Sequence, residues 1–174
     1  MRIQLNDVEP AVWRRLLVPA AVRMSTLADI LLAVRGWSNA QLHAFEVGEQ
    51  RYGMDDDDPP EDEIDEQTVT VLQALRGVTR FTFEYDFGDS WEHEVIVEEL
   101  TRSDAGLKHA VCLDGANACP PEDVGGPPGY STFLRAITDP GHEEHEAYLE
   151  WVDGSFDPTA FDLGKVNTRL QKLR

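Results

Sequence analysis

The chain has 174 residues, which suffices for one domain with a single hydrophobic core and is too short for two. Apolar residues make up 41% and aromatic residues 9%, so the composition is that of a folded globular protein. Asp and Glu outnumber Lys and Arg by 33 to 15, and the formal charge of −18 disfavours direct binding to nucleic acid or to an anionic membrane.

Two short strands are predicted at the start of the chain. Residues 2–6 and 12–18 have strand character, and Glu9-Pro10 makes the turn between them. The period-two pattern of the second strand places Arg14 and Arg15 on opposite faces. We therefore expect at least one of these arginines to form an ion pair, and we expect no extended anion-binding patch.

An amphipathic helix follows the two strands. Its apolar residues recur at helical spacing, namely Leu27, Ile30, Leu31 and Val34. Thr26 and Asp29 form a capping-box pattern that predicts the helix start, and Gly36 is placed where a left-handed C-cap would end it.

A strongly acidic segment comes next in the chain. Residues 42–48 and 50–53 predict a short strand pair. Residues 70–75 fit either a short helix or a strand, and the helix is favoured. Between them, half of the net charge comes from nine carboxylates: Asp55, Asp56, Asp57, Asp58, Glu61, Asp62, Glu63, Asp65 and Glu66. Pro59-Pro60 and charge repulsion predict a solvated loop at about 54–67. The run lacks the ligand spacing and central Gly of a calcium loop, so a solubility role is favoured over cation binding.

A hairpin is predicted in the middle of the chain. Aromatic and polar residues alternate over 80–86, a turn follows over 87–90, and a second strand runs over 91–100. On this second strand His93 shares the apolar face with Trp91, which is typical of a core histidine.

The rest of the chain is predicted to be mostly helical. Residues 109–113 indicate one more strand, and residues 117–129 form a loop rich in Pro and Gly. Three helices are then expected, over residues 133–137, 143–152 and 163–173. We therefore predict a single α+β domain over residues 1–174, with an antiparallel or mixed sheet, an early amphipathic helix and a helical C-terminal third.

The predicted hairpin tip carries the densest group of chemically active side chains. Asp86, Asp89 and His93 lie within eight residues, and carboxylates beside an imidazole can act as general acid and base or bind a metal. A structural role for the same residues is favoured. Asp89 can cap the turn through its side chain, and Gly88 can adopt a positive φ.

A second group lies in the loop rich in Pro and Gly. Glu122 and Asp123 stand in the run Cys119-Pro-Pro-Glu-Asp-Val-Gly-Gly, and Tyr130 follows it. Because Pro and Gly fix the path of this backbone, the loop is a suitable place for binding residues.

Four residues are candidate metal ligands: Cys112, Cys119, His142 and His145. The two cysteines do not have the spacing of a zinc knuckle, so zinc would need a histidine from elsewhere in the chain. The two histidines are three residues apart, whereas a zinc-protease helix has them four apart. We therefore favour ordinary thiols and an acidic helix N-terminus over a metal site. The sequence indicates no particular cofactor, and a divalent metal stays open as the alternative.

Taken together, the motifs resemble one known family. They are Val8-Glu9-Pro10-Ala11-Val12-Trp13-Arg14-Arg15, Gly36-Trp37, Leu42-His43-Ala44-Phe45, the run from Tyr85 to His93, and Cys112-Leu-Asp-Gly with the Cys119 run. The family is named after an open reading frame of the root-inducing plasmid pRi, and its members are often labelled TnpR resolvase or transposon passenger protein. The resemblance implies an α+β domain of unknown function associated with plasmids or mobile elements. The resolvase label is not supported, because a serine resolvase needs a nucleophilic Ser among arginines and a basic DNA-binding tail.

Three functional hypotheses follow. The first is a non-catalytic module that binds an unknown protein or small molecule through His43, the Asp86–His93 tip and the Glu122–Gly129 loop. The second is a hydrolase or nuclease that depends on a divalent metal held by these groups: Asp86, Asp89, His93, Glu122 and Asp123. The third is a DNA mimic, in which the acidic surface occupies the DNA-binding face of a mobile-element protein.

The expected location is the cytoplasm, without membrane insertion. The first ten residues contain neither a basic nor an apolar region typical of a signal peptide. No stretch of the chain approaches the roughly 18 uninterrupted apolar residues of a membrane span.

Overall fold

One eight-stranded sheet forms the centre of the computed structural model, which describes residues 1–102 and 106–173. The strands are β1 (Arg2–Leu5), β2 (Trp13–Leu17), β3 (His43–Val47), β4 (Gln50–Gly53), β5 (Glu63–Asp65), β6 (Arg80–Tyr85), β7 (Trp91–Ile96) and β8 (Val111–Ala116). Their order is β5-β4-β3-β6-β7-β1-β2-β8, and all neighbours are antiparallel except β4 and β5. The predicted α+β class with a mixed sheet is confirmed.

In the part of the chain that the structure describes, five helices accompany the sheet, and three of them follow the last strand. They are α1 (Met24–Arg35), α2 (Val71–Leu75), α3 (Gly126–Thr138), α4 (His145–Trp151) and α5 (Leu163–Gln171). Within the described residues, none of these helices is long and apolar enough to cross a bilayer.

Helix α1 packs its apolar stripe into the core. Leu27, Leu31 and Val34 are all fully buried, and Gly36 ends the helix with a φ of 79°, as predicted. The predicted start at a capping box is wrong. The helix begins at Met24, and the N–H of Met24 donates to the Val69 carbonyl at 3.0 Å, so another chain segment satisfies the first turn.

The predicted hairpin is confirmed as β6 and β7. Phe83 pairs with His93 and Tyr85 pairs with Trp91 across the two strands. All four side chains are buried, because residues two apart on a strand point to the same face. The hairpin therefore places a histidine inside an aromatic core.

The acidic segment is a loop for only part of its predicted length. Residues 55–62 are exposed and outside strands, but Glu63–Asp65 forms β5, and Glu66 is buried. The prediction of a solvated loop up to residue 67 is therefore wrong at its C-terminal end. Local repulsion is offset there by tertiary partners, since Arg51 Nε lies 2.7 Å from Glu63 Oε2 and His43 contacts Glu66.

The predicted loop over 117–129 is also too long, because α3 begins at Gly126. Pro127 and Pro128 stand in the first turn of this helix, where a missing N–H removes no hydrogen bond. The predicted strand at 109–113 and helix at 143–152 are confirmed with shifted starts, at Val111 and His145.

Candidate functional site

The turn between β6 and β7 is shaped by its own carboxylates. Asp86 has a φ of 57°, and its Oδ1 accepts from the backbone N–H of Gly88 at 3.1 Å and of Asp89 at 3.2 Å. Asp89 Oδ2 accepts from the N–H of Gly125 at 3.1 Å. The tip is therefore fixed internally by Asp86 and tied by Asp89 to the loop that precedes α3.

Glu122 joins three chain segments at the same end of the sheet. Its carboxylate accepts from the backbone N–H of Ser38 at 2.8 Å, from Ser38 Oγ at 3.1 Å, and from the Tyr85 hydroxyl. Burial, and after it the hydrogen bond to Glu122, raises the pKa of Tyr85 to about 12, so this phenol stays a donor. Two of the three predicted segments, the tip and the 122–129 loop, thus come together.

Two exposed apolar residues lie in or next to the turn, and the guanidinium carbon of Arg51 is 5.4 Å from the centroid of the Phe87 ring. Leu42 is 54% exposed and Phe87 is 42% exposed. The N–H of Asp86 donates to the Leu42 carbonyl at 2.8 Å, which holds the two backbones together. We use the name tip surface for five residues at this end of the sheet: Leu42, Asp86, Phe87, Glu122 and Asp123.

The two histidines of the predicted site lie inside the protein. His43 Nε2 is 3.0 Å from both carboxylate oxygens of Glu66, and both side chains are buried. His93 Nδ1 is 3.1 Å from the Phe83 carbonyl oxygen. The tip surface is therefore formed by other residues. Sequence reasoning missed Glu66 as the partner of His43, since nothing within the acidic run distinguishes this carboxylate from its neighbours.

Burial, and after it the charge of Arg35, lowers the pKa of His93 well below its usual value. In the unfolded chain the imidazole of His93 binds a proton near pH 6.5, whereas in the folded protein the ring stays neutral. The free energy of unfolding should therefore fall as the pH drops below about 6.5. The loss from this group is about 1.4 kcal/mol per pH unit. We measure the free energy of unfolding in urea at pH 7.5 and at pH 5.0. Between these two pH values it should fall by about 2 kcal/mol less for His93→Phe than for the wild type. Parallel losses in the two proteins would contradict a buried, neutral His93.

The candidate metal ligands do not form a cluster. Within residues 1–102 and 106–173, no group of three or more His, Cys, Asp or Glu side chains is arranged to hold a metal ion. His145 Nδ1 lies 2.7 Å from the Ala136 carbonyl oxygen, and His142 Nδ1 accepts from the N–H of Glu144 at 3.1 Å. Cys112 and Cys119 are free cysteines. At the tip, Asp86 Oδ1, Asp89 Oδ2 and both carboxylate oxygens of Glu122 accept hydrogen bonds from protein donors.

A second polar group lies in the interior around Cys119. Arg14 and Arg35 are both buried, and each directs a guanidinium nitrogen at the sulfur of Cys119. Arg15, next to Arg14 in β2, is exposed and pairs with Glu98 at 2.9 Å. The predicted opposite faces of the two arginines are confirmed, but sequence reasoning missed that the buried arginine meets a cysteine more than a hundred positions away.

Known proteins are similar to this chain in sequence and in fold. The family model of the plasmid pRiA4b ORF-3-like protein matches residues 1–165 of the chain. The chain belongs to this family. The resemblance predicted from the motifs is thus confirmed, and the pRiA4b ORF-3-like domain spans the sheet, the tip surface and most of the C-terminal helices.

Two relatives of this pRiA4b ORF-3-like domain are similar over nearly their whole length. The uncharacterized protein y4hQ of Sinorhizobium fredii (strain NGR234) is 38% identical over 176 residues, which cover 99% of this chain and 90% of the relative. The crystal structure of MM3350 from Methanosarcina mazei Go1, a protein of unknown function, has a TM-score of 0.84 at 29% identity. The match covers 94% of this chain and 93% of MM3350. The family is one of unknown function, so function has to be inferred from the site.

Proposed function

We propose that this protein is a non-catalytic binding module whose tip surface binds a basic segment of a partner protein. The observation that carries the proposal is that Leu42 and Phe87 are exposed at a turn whose backbone is fixed by hydrogen bonds to the carboxylates of Asp86 and Asp89. Apolar anchors surrounded by charge are the usual composition of a protein-binding surface.

The rigidity of the tip supports this proposal. Asp86 holds the turn, Asp89 bonds to Gly125, and Glu122 bonds to Ser38 and Tyr85. A surface that is already ordered loses little conformational entropy when a ligand binds. The carboxylates thus build the tip and also give it negative charge.

The location of the acidic segment supports a cationic partner. Gly53 is opposite Ala44 in the sheet, and His43 is opposite Tyr85, so the chain leaves β4 at the end where the tip lies. The exposed carboxylates Asp55–Asp58 follow directly. Together with the net charge of −18, they would steer Lys- and Arg-rich segments toward this end of the sheet.

The test is a titration of the purified protein with a synthetic Lys- and Arg-rich peptide that carries a central Leu or Phe, followed by NMR chemical-shift changes. We expect the shifts to concentrate on Leu42, Phe87 and Asp123. We expect Phe87→Ser to weaken binding about tenfold, which corresponds to about 1.4 kcal/mol. Affinity should also fall as salt is raised, because part of the attraction is between exposed charges.

The matched control is Leu72→Ser. Leu72 is 54% exposed, like Leu42, but lies on α2, away from the tip. This variant should bind as the wild type does. A matched peptide with Glu in place of Lys and Arg should not bind. Equal binding of both peptides, or equal effects of Leu72→Ser and Phe87→Ser, would overturn the proposed function.

A further inference from the structure

A cavity of about 760 Å³ lies at the end of the sheet opposite to the tip. The tip joins the end of β6 to the start of β7, whereas the cavity is lined by Thr79, just before β6, and by Val97, just after β7. We use the name distal groove for this cavity, whose walls come from residues 16–21, 71–79 and 97–102 with 106–107. Pockets for small molecules have volumes of roughly 300–1,000 Å³, so the distal groove is large enough for one.

The distal groove is apolar from its floor to its rim. Three lining side chains are buried and form the floor: Leu16, Val71 and Leu75. Three lining leucines are between 45% and 68% exposed: Leu17, Leu72 and Leu100. Burying exposed apolar surface under an apolar ligand is favourable. The groove therefore favours a ligand with an apolar body.

Backbone hydrogen bonds hold the walls of the distal groove together. The N–H of Leu72 donates to the Ala20 carbonyl at 3.0 Å, and the N–H of Val97 donates to the Thr79 carbonyl at 2.7 Å. The first bond joins the wall after β2 to α2, and the second joins the wall after β7 to the segment that follows α2. A groove that is already formed loses little conformational entropy when a ligand fills it.

The polar side chains that line the distal groove belong to one side of it. They are Thr79, Glu99, Thr101 and Arg102. Three of them follow β7 in the chain, and the backbone of Thr79 is bonded to that same segment. A ligand that fits this groove therefore carries its polar group at one end.

The charges on this polar side favour an anionic group. Arg102 lines the groove, and two exposed bases, Arg76 and Lys108, directly follow lining residues in the chain. Glu99 is the acidic side chain in the lining, and Glu98 beside it is already paired with an arginine of β2. Among the described residues on this side, bases therefore outnumber acids, whereas acids outnumber bases by 33 to 15 in the whole chain.

We propose that the distal groove binds a medium-chain carboxylate, with the alkyl chain along the leucines and the carboxylate at Arg102. A planar guanidinium binds a carboxylate through two parallel N–H bonds, and the alkyl chain covers apolar surface that is otherwise in contact with water. Binding forms no covalent bond. The distal groove is separate from the tip surface, so this inference does not depend on the proposed function.

The test is isothermal titration calorimetry of the purified protein with decanoate at about 150 mM NaCl, which screens the net negative charge. We expect one decanoate to bind per chain, and we expect octanoate, which is two methylenes shorter, to bind about tenfold more weakly. Decylammonium has the same alkyl chain and the opposite charge, and it should bind at least about fivefold more weakly than decanoate. No saturable binding of decanoate, or equal binding of decylammonium, would overturn the proposal.

Variants of exposed residues locate the ligand. Leu72→Ser should weaken the binding of both decanoate and the uncharged decanol about fivefold, because it removes apolar surface from the rim. Arg102→Gln should weaken decanoate binding about fivefold and leave decanol binding unchanged. Phe87→Ser is the control, since it changes the tip surface and should leave decanoate binding unchanged. Equal losses in Leu72→Ser and Phe87→Ser would place the ligand outside the distal groove and overturn the proposal.

Discussion

Gly126→Ala is expected to destabilise the protein by more than about 3 kcal/mol. Gly126 has a φ of 67°, and a Cβ built on it would lie 2.2 Å from the Asp89 carbonyl oxygen and 3.2 Å from the Asp89 carbonyl carbon. Both are backbone atoms, so the tip and the start of α3 would have to separate. Urea unfolding followed by circular dichroism measures the free energy of unfolding.

The adjacent glycine is the matched control for this substitution. Gly125 also has a positive φ, 99°, but a Cβ there would meet only the Gly129 Cα, at 3.5 Å. Gly125→Ala should therefore show the backbone strain alone, about 1–2 kcal/mol. If the two variants differed by less than about 0.5 kcal/mol, the close contact between the tip and α3 would be refuted. Gly126→Ala should also abolish peptide binding at the tip surface, because that surface forms only when the β6–β7 turn packs against the start of α3.

Glu66→Ala is expected to reduce the free energy of unfolding by about 3 kcal/mol. The substitution leaves His43 Nε2 buried without its 3.0 Å partner and opens a cavity beneath β3. Glu66→Gln keeps an acceptor in place and should lose about 1 kcal/mol. Chemical denaturation at pH 7 compares the variants.

The control for Glu66 is Glu61, an exposed carboxylate in the same acidic run. Glu61→Ala should stay within about 0.5 kcal/mol of the wild type, because it makes no buried contact. If Glu66 were part of a solvated loop, its removal would be neutral or slightly stabilising through reduced repulsion. That result would refute the buried pair.

Local patterns in the sequence predicted the elements that depend on neighbouring residues. The alternation of Phe81, Phe83 and Tyr85 predicted β6, and the 3.6-residue spacing of α1 with Gly36 predicted that helix and its end. These predictions succeed because side-chain periodicity and φ preferences act within a few residues.

The predicted ends of helices and strands were wrong where a hydrogen bond to another chain segment determines where the element begins. Helix α1 starts before its capping-box pattern because Val69 accepts from its first turn, and β5 forms within a run of repelling charges because β4 pairs with it. Val69 lies far beyond the end of α1 in the chain, and the acidic segment separates β4 from β5. Such boundaries depend on tertiary hydrogen bonds, which no local pattern contains.

By itself, the sequence determined the α+β class, the acidic character, the hairpin and the family resemblance. Only the tertiary structure decided which polar residues meet. It joined Glu122 to Tyr85 and Ser38, Glu66 to His43, and both Arg14 and Arg35 to Cys119. The physical reason is that a buried polar group needs a partner, and the sheet order brings that partner from a distant part of the chain.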